Sequence, residues 1–188
     1  MEYIEEQLFE RLDVQKERFV ITTYESCTFR NCDFSGGVLR GAVFIDCKFI
    51  SCNLSNAIVE KASLRDVIFS DCKLTGVAIN TCNPSMMIVT FRDCILDYVS
   101  FEGLSLKKTE FTNCSMIRTF FINTDISGSV LANCNLENAV FQKSNLEKVD
   151  FTTSYNFTID PEQNRMKKSK FVLHSLVGLL GKYDIIVE

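Results

Sequence analysis

The 188-residue chain has no tryptophan, a single histidine and only two prolines. With His174 alone, a multi-histidine metal centre is excluded, and histidine acid–base chemistry is left with one candidate group. Scarce proline leaves long stretches of backbone able to donate hydrogen bonds without interruption. No apolar run approaches the roughly 18 residues a membrane-spanning helix needs, so no membrane association is expected. Residues 1–13 are rich in Glu and contain no apolar core, so no secretory leader is read there and a cytoplasmic location is expected. A hydrophobic fraction of 46% excludes a disordered chain and fits one globular domain.

What the chain does have is nine cysteines and 16 phenylalanines. Nine is odd, and a reducing compartment disfavours disulfides. The tightest spacings are C-x₄-C, at Cys27/Cys32 and Cys47/Cys52, with no second pair at finger spacing. No metal and no cofactor are therefore expected, and the thiols are read as small buried hydrophobes.

Written in fives from Cys27, the chain reads CTFRN, CDFSG, GVLRG, AVFID, CKFIS, CNLSN, and continues in that pattern. A second run starts at Val89 with VTFRD, CILDY, VSFEG, LSLKK, TEFTN. The third residue of each unit is large and apolar, the first is mostly small, and the others are mostly polar. Neither the helical period nor strand alternation fits. A period of five with two inward positions implies short extended segments joined by tight corners, and four corners close a square coil of 20 residues. Residues 20 apart must then stack. Tyr24, Phe44 and Leu64 form one such column, and Phe29, Phe49 and Phe69 another. A two-residue slip read within 80–85, with Met86 as the next unit centre, continues the second column through Phe91, Phe111, Leu131, Phe151 and Phe171. All nine cysteines fall on first positions. Cys32, Cys52, Cys72, Cys94, Cys114 and Cys134 share one column, a ladder of thiols inside the coil.

These units resemble the pentapeptide-repeat family, over 27–171. The resemblance implies an all-β fold: a right-handed quadrilateral parallel β-helix, a solenoid with a short helical or extended C-terminal cap. The opening run CTFRNCDFSGGVLRGAVFIDCKF is similar to the start of the Qnr-type quinolone-resistance proteins. That likeness implies a dimeric module binding DNA gyrase and topoisomerase IV, the type II topoisomerases. The C-terminal stretch IDPEQNRMKKSKF resembles bacterial pentapeptide-repeat proteins with no assigned role.

Along the chain, residues 1–18 are read as an N-terminal cap, 19–171 as the β-helix with a loop at 156–164, and 172–188 as a cap and dimerisation segment. Within the last, residues 173–180 are read as a short amphipathic helix ended by Gly181, and 183–187 as a strand. A homodimer is expected through Leu173, Leu176, Val177, Leu179 and Leu180, residues that also suit a cap over the last coil.

Charge argues against two partner classes. Between residues 27 and 151, 13 acids meet 12 bases, so no face is an acidic stripe of the kind that would mimic DNA. The one basic cluster, Arg165, Lys167, Lys168 and Lys170, is short and is read as a solvated turn, so no direct nucleic-acid binding is expected. Acids alternate with bases along every face. The pairs Asp66/Asp71 and Asp93/Asp97 are ordinary for the repeat, so no catalytic constellation is read.

One face differs. Outward positions on it carry Val38, Ile58, Phe120 and Val140, with Ile122 beside them, an apolar stripe that marks a candidate partner face. The same pattern also suits plain β-propensity. The sequence thus reads as a non-catalytic protein-interaction module. Its partner is either a type II topoisomerase, or another protein for which the rod is a scaffold.

Overall fold

A computed structural model describes residues 3–183, 185 and 186. The chain winds as a parallel β-solenoid, each short strand hydrogen-bonded to the one a full coil away. Tyr3–Glu5 pairs with Thr23–Glu25, which pairs with Val43–Ile45 and then Ser63–Arg65, always 20 residues apart. On the adjacent face Phe9 lies beside Phe29, Phe29 beside Phe49, and Phe49 beside Phe69.

The corners explain the period of five. The second residue after most inward centres adopts left-handed backbone: Asn31, Asn56, Asp71, Asn113 and Asn138 have φ between 52° and 55°. Asn, Asp and Gly tolerate that region best, which is why they recur at corners. The polar residue before the centre is also structural. Asp33 Oδ1 accepts the Ser35 N–H at 2.9 Å, Asp125 the Ser127 N–H at 2.9 Å, and Asp150 the Thr152 N–H at 3.0 Å. Each is an Asx turn that sets the corner. Much of the chain's Asn and Asp content is therefore spent on turning the coil.

Inside, the centres stack. Ring centroids are 4.9 Å apart for Phe9–Phe29, 4.8 Å for Phe29–Phe49 and 5.0 Å for Phe49–Phe69, with planes within 18° of parallel. A second stack runs Phe101–Phe121–Phe141 at 5.2 and 4.9 Å. Rings on neighbouring faces meet edge-on, as Tyr24 and Phe29 do at 5.4 Å and 72°, the geometry the aromatic quadrupole favours. All nine cysteines are free and buried at the first positions.

The structure corrects several expectations. The expected cap at 1–18 is not separate from the coil over its described residues, 3–18, because Tyr3–Glu5 and Leu8–Glu10 already pair in register as the first coil. Ile4 and Phe9 thus extend the inward columns. The chain leaves the ladder only after Asp13, which pairs with Asp33, and Phe19 comes back to pack against Tyr24, Phe29 and Phe34.

The two extra residues lie slightly later than 80–85. Asn83 still pairs with Ser63 at the 20-residue offset, whereas Val67 pairs with Val89, so the bulge occupies 84–88. Pro84, which has no N–H to give a ladder, starts it. Met86 is not a centre: it points outward, 64% exposed, and Met87 turns inward.

Residues 156–164 leave the square path yet are not merely a loop, since Phe157 and Ile159 are buried against the core. The path rejoins the register where Arg165 pairs with Asn145. Beyond it, Leu173–Leu179 is a 3-10 helix rather than an amphipathic α-helix, and Gly181–Tyr183 is a second 3-10 turn rather than a stop. No strand forms at residues 185 and 186; residues 184 and 187 of the expected strand lie outside the described residues.

Candidate interaction surfaces

The coil turns its reactive groups inward. Each ladder thiol reaches a main-chain carbonyl of the preceding coil: Cys52 Sγ donates to Phe29 O at 3.3 Å and Cys72 Sγ to Phe49 O at 3.3 Å. Ser144 and Ser154 do the same elsewhere, donating to Phe121 O and Leu131 O at 2.7 Å. Burial pushes the Cys47 thiol up to about 11 and the Cys82 thiol up to about 12. Such thiols are packing groups, not nucleophiles. Among the described residues no group of three or more His, Cys, Asp or Glu is arranged to hold a metal ion. His174 is exposed on the 3-10 helix, beside an open groove it shares with Glu137, Tyr155 and Thr158.

The apolar stripe lies on one side of the square but is broken in the middle. Val38 and Ile58 pair across neighbouring coils and are 55% and 42% exposed. Further along, Phe120–Ile122 pairs with Val140–Gln142, and Phe120, Ile122 and Val140 are half-buried. Between the two patches the path passes through the 3-10 turn Ile79–Thr81, and then presents Ser100 and Glu102. The sequence pattern brings these residues to one face without making them one continuous patch.

The C-terminal segment docks against the end of the rod. Ile159 N–H donates to Gly178 O at 2.8 Å. A Cβ on Gly178 would meet the Phe157 carbonyl and come within 2.7 Å of its ring, so only glycine permits this approach. Lys182 bridges Asp160 at 3.0 Å and also pairs with Glu162, to which the Tyr183 hydroxyl donates at 3.2 Å. The Glu162 N–H and Lys182 hold the Asp160 carboxyl below its ordinary range, while Glu162 holds the Lys182 ammonium above its own. Of the five leucines and valines expected to serve as cap or dimer contact, Leu179 packs on the core. Leu173, Leu176, Val177 and Leu180 are 85%, 37%, 50% and 36% exposed. No repeat position in the sequence signals the clasp through Gly178 and Lys182; its one mark is a glycine inside an apolar run.

Among the described residues no helix is long and apolar enough to cross a membrane. The pentapeptide repeat region family matches residues 22–101, and the SV2A/B/C luminal domain family matches residues 63–141. No curated protein matches the chain by sequence. Among solved structures, two trypsin-treated variants of QnrB1, a plasmid-mediated fluoroquinolone resistance protein, superpose with TM-scores of 0.64 and 0.65. Each is 22% identical, with 99% of this chain and 97% of that chain covered. The five-residue repeat, the square parallel coil and the family match converge: residues 22–101 are similar to the pentapeptide repeat region family, and the chain has the fold of QnrB1.

Proposed function

We propose that the protein is a non-catalytic interaction module, a rigid rod that works in the cytoplasm by presenting its faces to a protein partner. The observation that carries this reading is the division of the coil. Its thiols and rings fill the interior, while Val38 and Ile58 at one end of a face and Phe120, Ile122 and Val140 at the other remain at the surface. Apolar side chains rimmed by polar ones are what a protein interface uses. The fold shared with QnrB1, itself a fluoroquinolone resistance protein, favours DNA gyrase or topoisomerase IV as that partner. A second reading has the rod scaffold some other protein. It is favoured by the shortness of the only mid-body projection among the described residues, the bulge at 84–88. In either reading, the exposed Leu173, Leu176, Val177 and Leu180 supply a homodimer contact.

A supercoiling assay with purified cognate gyrase and a fluoroquinolone separates the two. Rescue from the drug at low protein, or inhibition at high protein, is the outcome for a topoisomerase partner. No effect on gyrase or on topoisomerase IV overturns that partner and leaves the scaffold reading.

A further inference from the structure

Gly36, Asn56, Gly76, Tyr98, Arg118 and Asn138 stand one above another as a column of corners. The N–H of each of the first five donates to the carbonyl just before the next corner. All six have left-handed backbone, with φ 60° at Tyr98 and 54° at Arg118. That region crowds a large side chain, and Gly and Asn, which turn the other four coils, tolerate it best. Tyr98 is the only aromatic residue among the described residues to adopt it. Two successive corners thus give up the better turn residue, and neither gains burial by doing so: both side chains are exposed, Tyr98 by 47%. A conformational cost with no return in packing points to a role at the surface.

The two side chains hold each other. Arg118 Nη1 donates to Tyr98 Oη at 3.3 Å, and the guanidinium carbon lies 5.8 Å from the ring centroid, a cation–π contact. The fork is anchored but its charge is not answered: no carboxylate among the described residues pairs with Arg118. Asp97, beside Tyr98, accepts the Ser115 hydroxyl at 2.6 Å and the Ile117 N–H at 2.9 Å. Glu102 and Glu137 form no ion pair among the described residues. Past the buried Thr119 the chain presents Phe120, which lies between Ser100 and Val140 in the ladder. On the near side of the corner is the half-buried Ile117. An anchored, unpaired guanidinium therefore stands between apolar side chains, next to the candidate partner face.

We propose that this corner takes an acidic, apolar segment of the protein partner. An Asp or Glu carboxylate sits on the Arg118 fork, and a neighbouring large apolar side chain packs on Phe120 and Val140. This rests on the protein-partner reading of the same face and adds the chemistry of the partner. The planar guanidinium matches a carboxylate with two parallel N–H donors, and Tyr98 holds it ready, so little side-chain freedom is lost on binding. Tyr and Arg beside a Phe are also the residue types that dominate protein interfaces. Nucleic acid is disfavoured as the occupant, because it needs several cations along its backbone and Arg118 stands alone among apolar neighbours.

Random peptides displayed on phage and selected on immobilised wild type test this. The selected peptides are synthesised, and fluorescence anisotropy measures their binding to wild type and to three variants, each with its melting curve. The expected peptides carry Asp or Glu next to a large apolar residue, and Arg118→Gln and Phe120→Ser each weaken them about tenfold or more. Tyr98→Asn weakens them too, although it restores a residue the corner prefers and is expected to melt no lower than wild type. A lower melting temperature for Tyr98→Asn would mean that Tyr98 is kept for packing, which overturns the proposal. Peptides that are lost with Phe120→Ser, yet carry no acid and bind Arg118→Gln as well as wild type, overturn it and leave the protein-partner reading standing. Duplex DNA that binds wild type but not Arg118→Gln assigns the corner to nucleic acid and likewise overturns it. Peptides indifferent to both substitutions, or none selected, overturn the proposal and that reading together.

Discussion

The ring of Phe91 lies 5.3 Å from that of Phe69, with planes 9° apart, although 22 residues rather than 20 separate them. The bulge at 84–88 absorbs the extra length at the surface so that the interior stack is undisturbed, and the stack resumes at Phe111, 5.4 Å on. Phe91 is fully buried. Phe91→Ala removes the ring that joins the two halves and leaves a cavity, at an expected cost of about 3–5 kcal/mol. Urea unfolding measures it, and a cost near zero would mean that the halves are not joined through this stack.

The thiol ladder is a packing device, and its chemistry is replaceable. Ser144 stands at a first position in another column and makes the same bond to the preceding coil that Cys72 makes. Cys72→Ser is therefore expected to cost about 1 kcal/mol or less. Cys72→Leu, which must force a larger group between filled centres, is expected to cost about 1–3 kcal/mol. Thermal denaturation ranks the two. The native protein is also expected to leave all nine thiols unmodified by an aqueous thiol reagent until denaturant is added.

The clasp at the end of the rod depends on one close approach and one cation. Gly178→Val places side-chain atoms where the Phe157 carbonyl and ring already are. Lys182→Ala removes the partner of Asp160 and Glu162. Either change is expected to raise hydrogen exchange across residues 173–183 at least several-fold while leaving the coil between 23 and 151 as protected as before. Equal loss of protection in both regions would make the segment part of the coil's cooperative unit.

Acid acts on the corners. The Thr152 hydroxyl and N–H, together with Lys170, hold the Asp150 carboxyl below its ordinary value of 3.8. A carboxyl whose folded value is depressed stabilises the fold fully above the unfolded value, and that contribution is lost as pH falls through the folded one. The melting temperature is thus expected to hold from neutral pH down to about 4 and to drop below it. Asp150→Asn should shallow the drop. Lys182 has the opposite sign: its value is raised above 10.5, so its contribution to the clasp is full below 10.5 and is lost as alkaline pH rises through the raised value. A melting temperature unchanged well below pH 4 would contradict the role given to these turns.

What was legible in the sequence follows from repetition. The centre at Phe29, the small first position at Cys32 and the corner at Asn31 recur because every interior coil imposes the same space and the same turn. The pattern fails where that constraint lifts. Gln7 is exposed because no coil lies beneath it. A first position there need not be small, and the unit around Phe9 does not announce itself. Pro84 breaks the ladder without showing which of Met86 and Met87 turns inward. Gly178 against Phe157 is a single tertiary contact with no period. The candidate face was legible as a set of outward apolar residues interrupted at Ala78 and Ser100, but the 3-10 turn at Ile79–Thr81 between its two patches was not, because no repeat position signals it.

The central claim is that the rod acts by binding a protein through the face of Phe120, Ile122 and Val140. Affinity capture from lysate of the native cell, with wild type and Phe120→Ser side by side and matched melting curves, tests it most directly. The account predicts a protein retained in stoichiometric amount by wild type and lost with Phe120→Ser. Retention of the same protein by both, or of none by wild type, would contradict it.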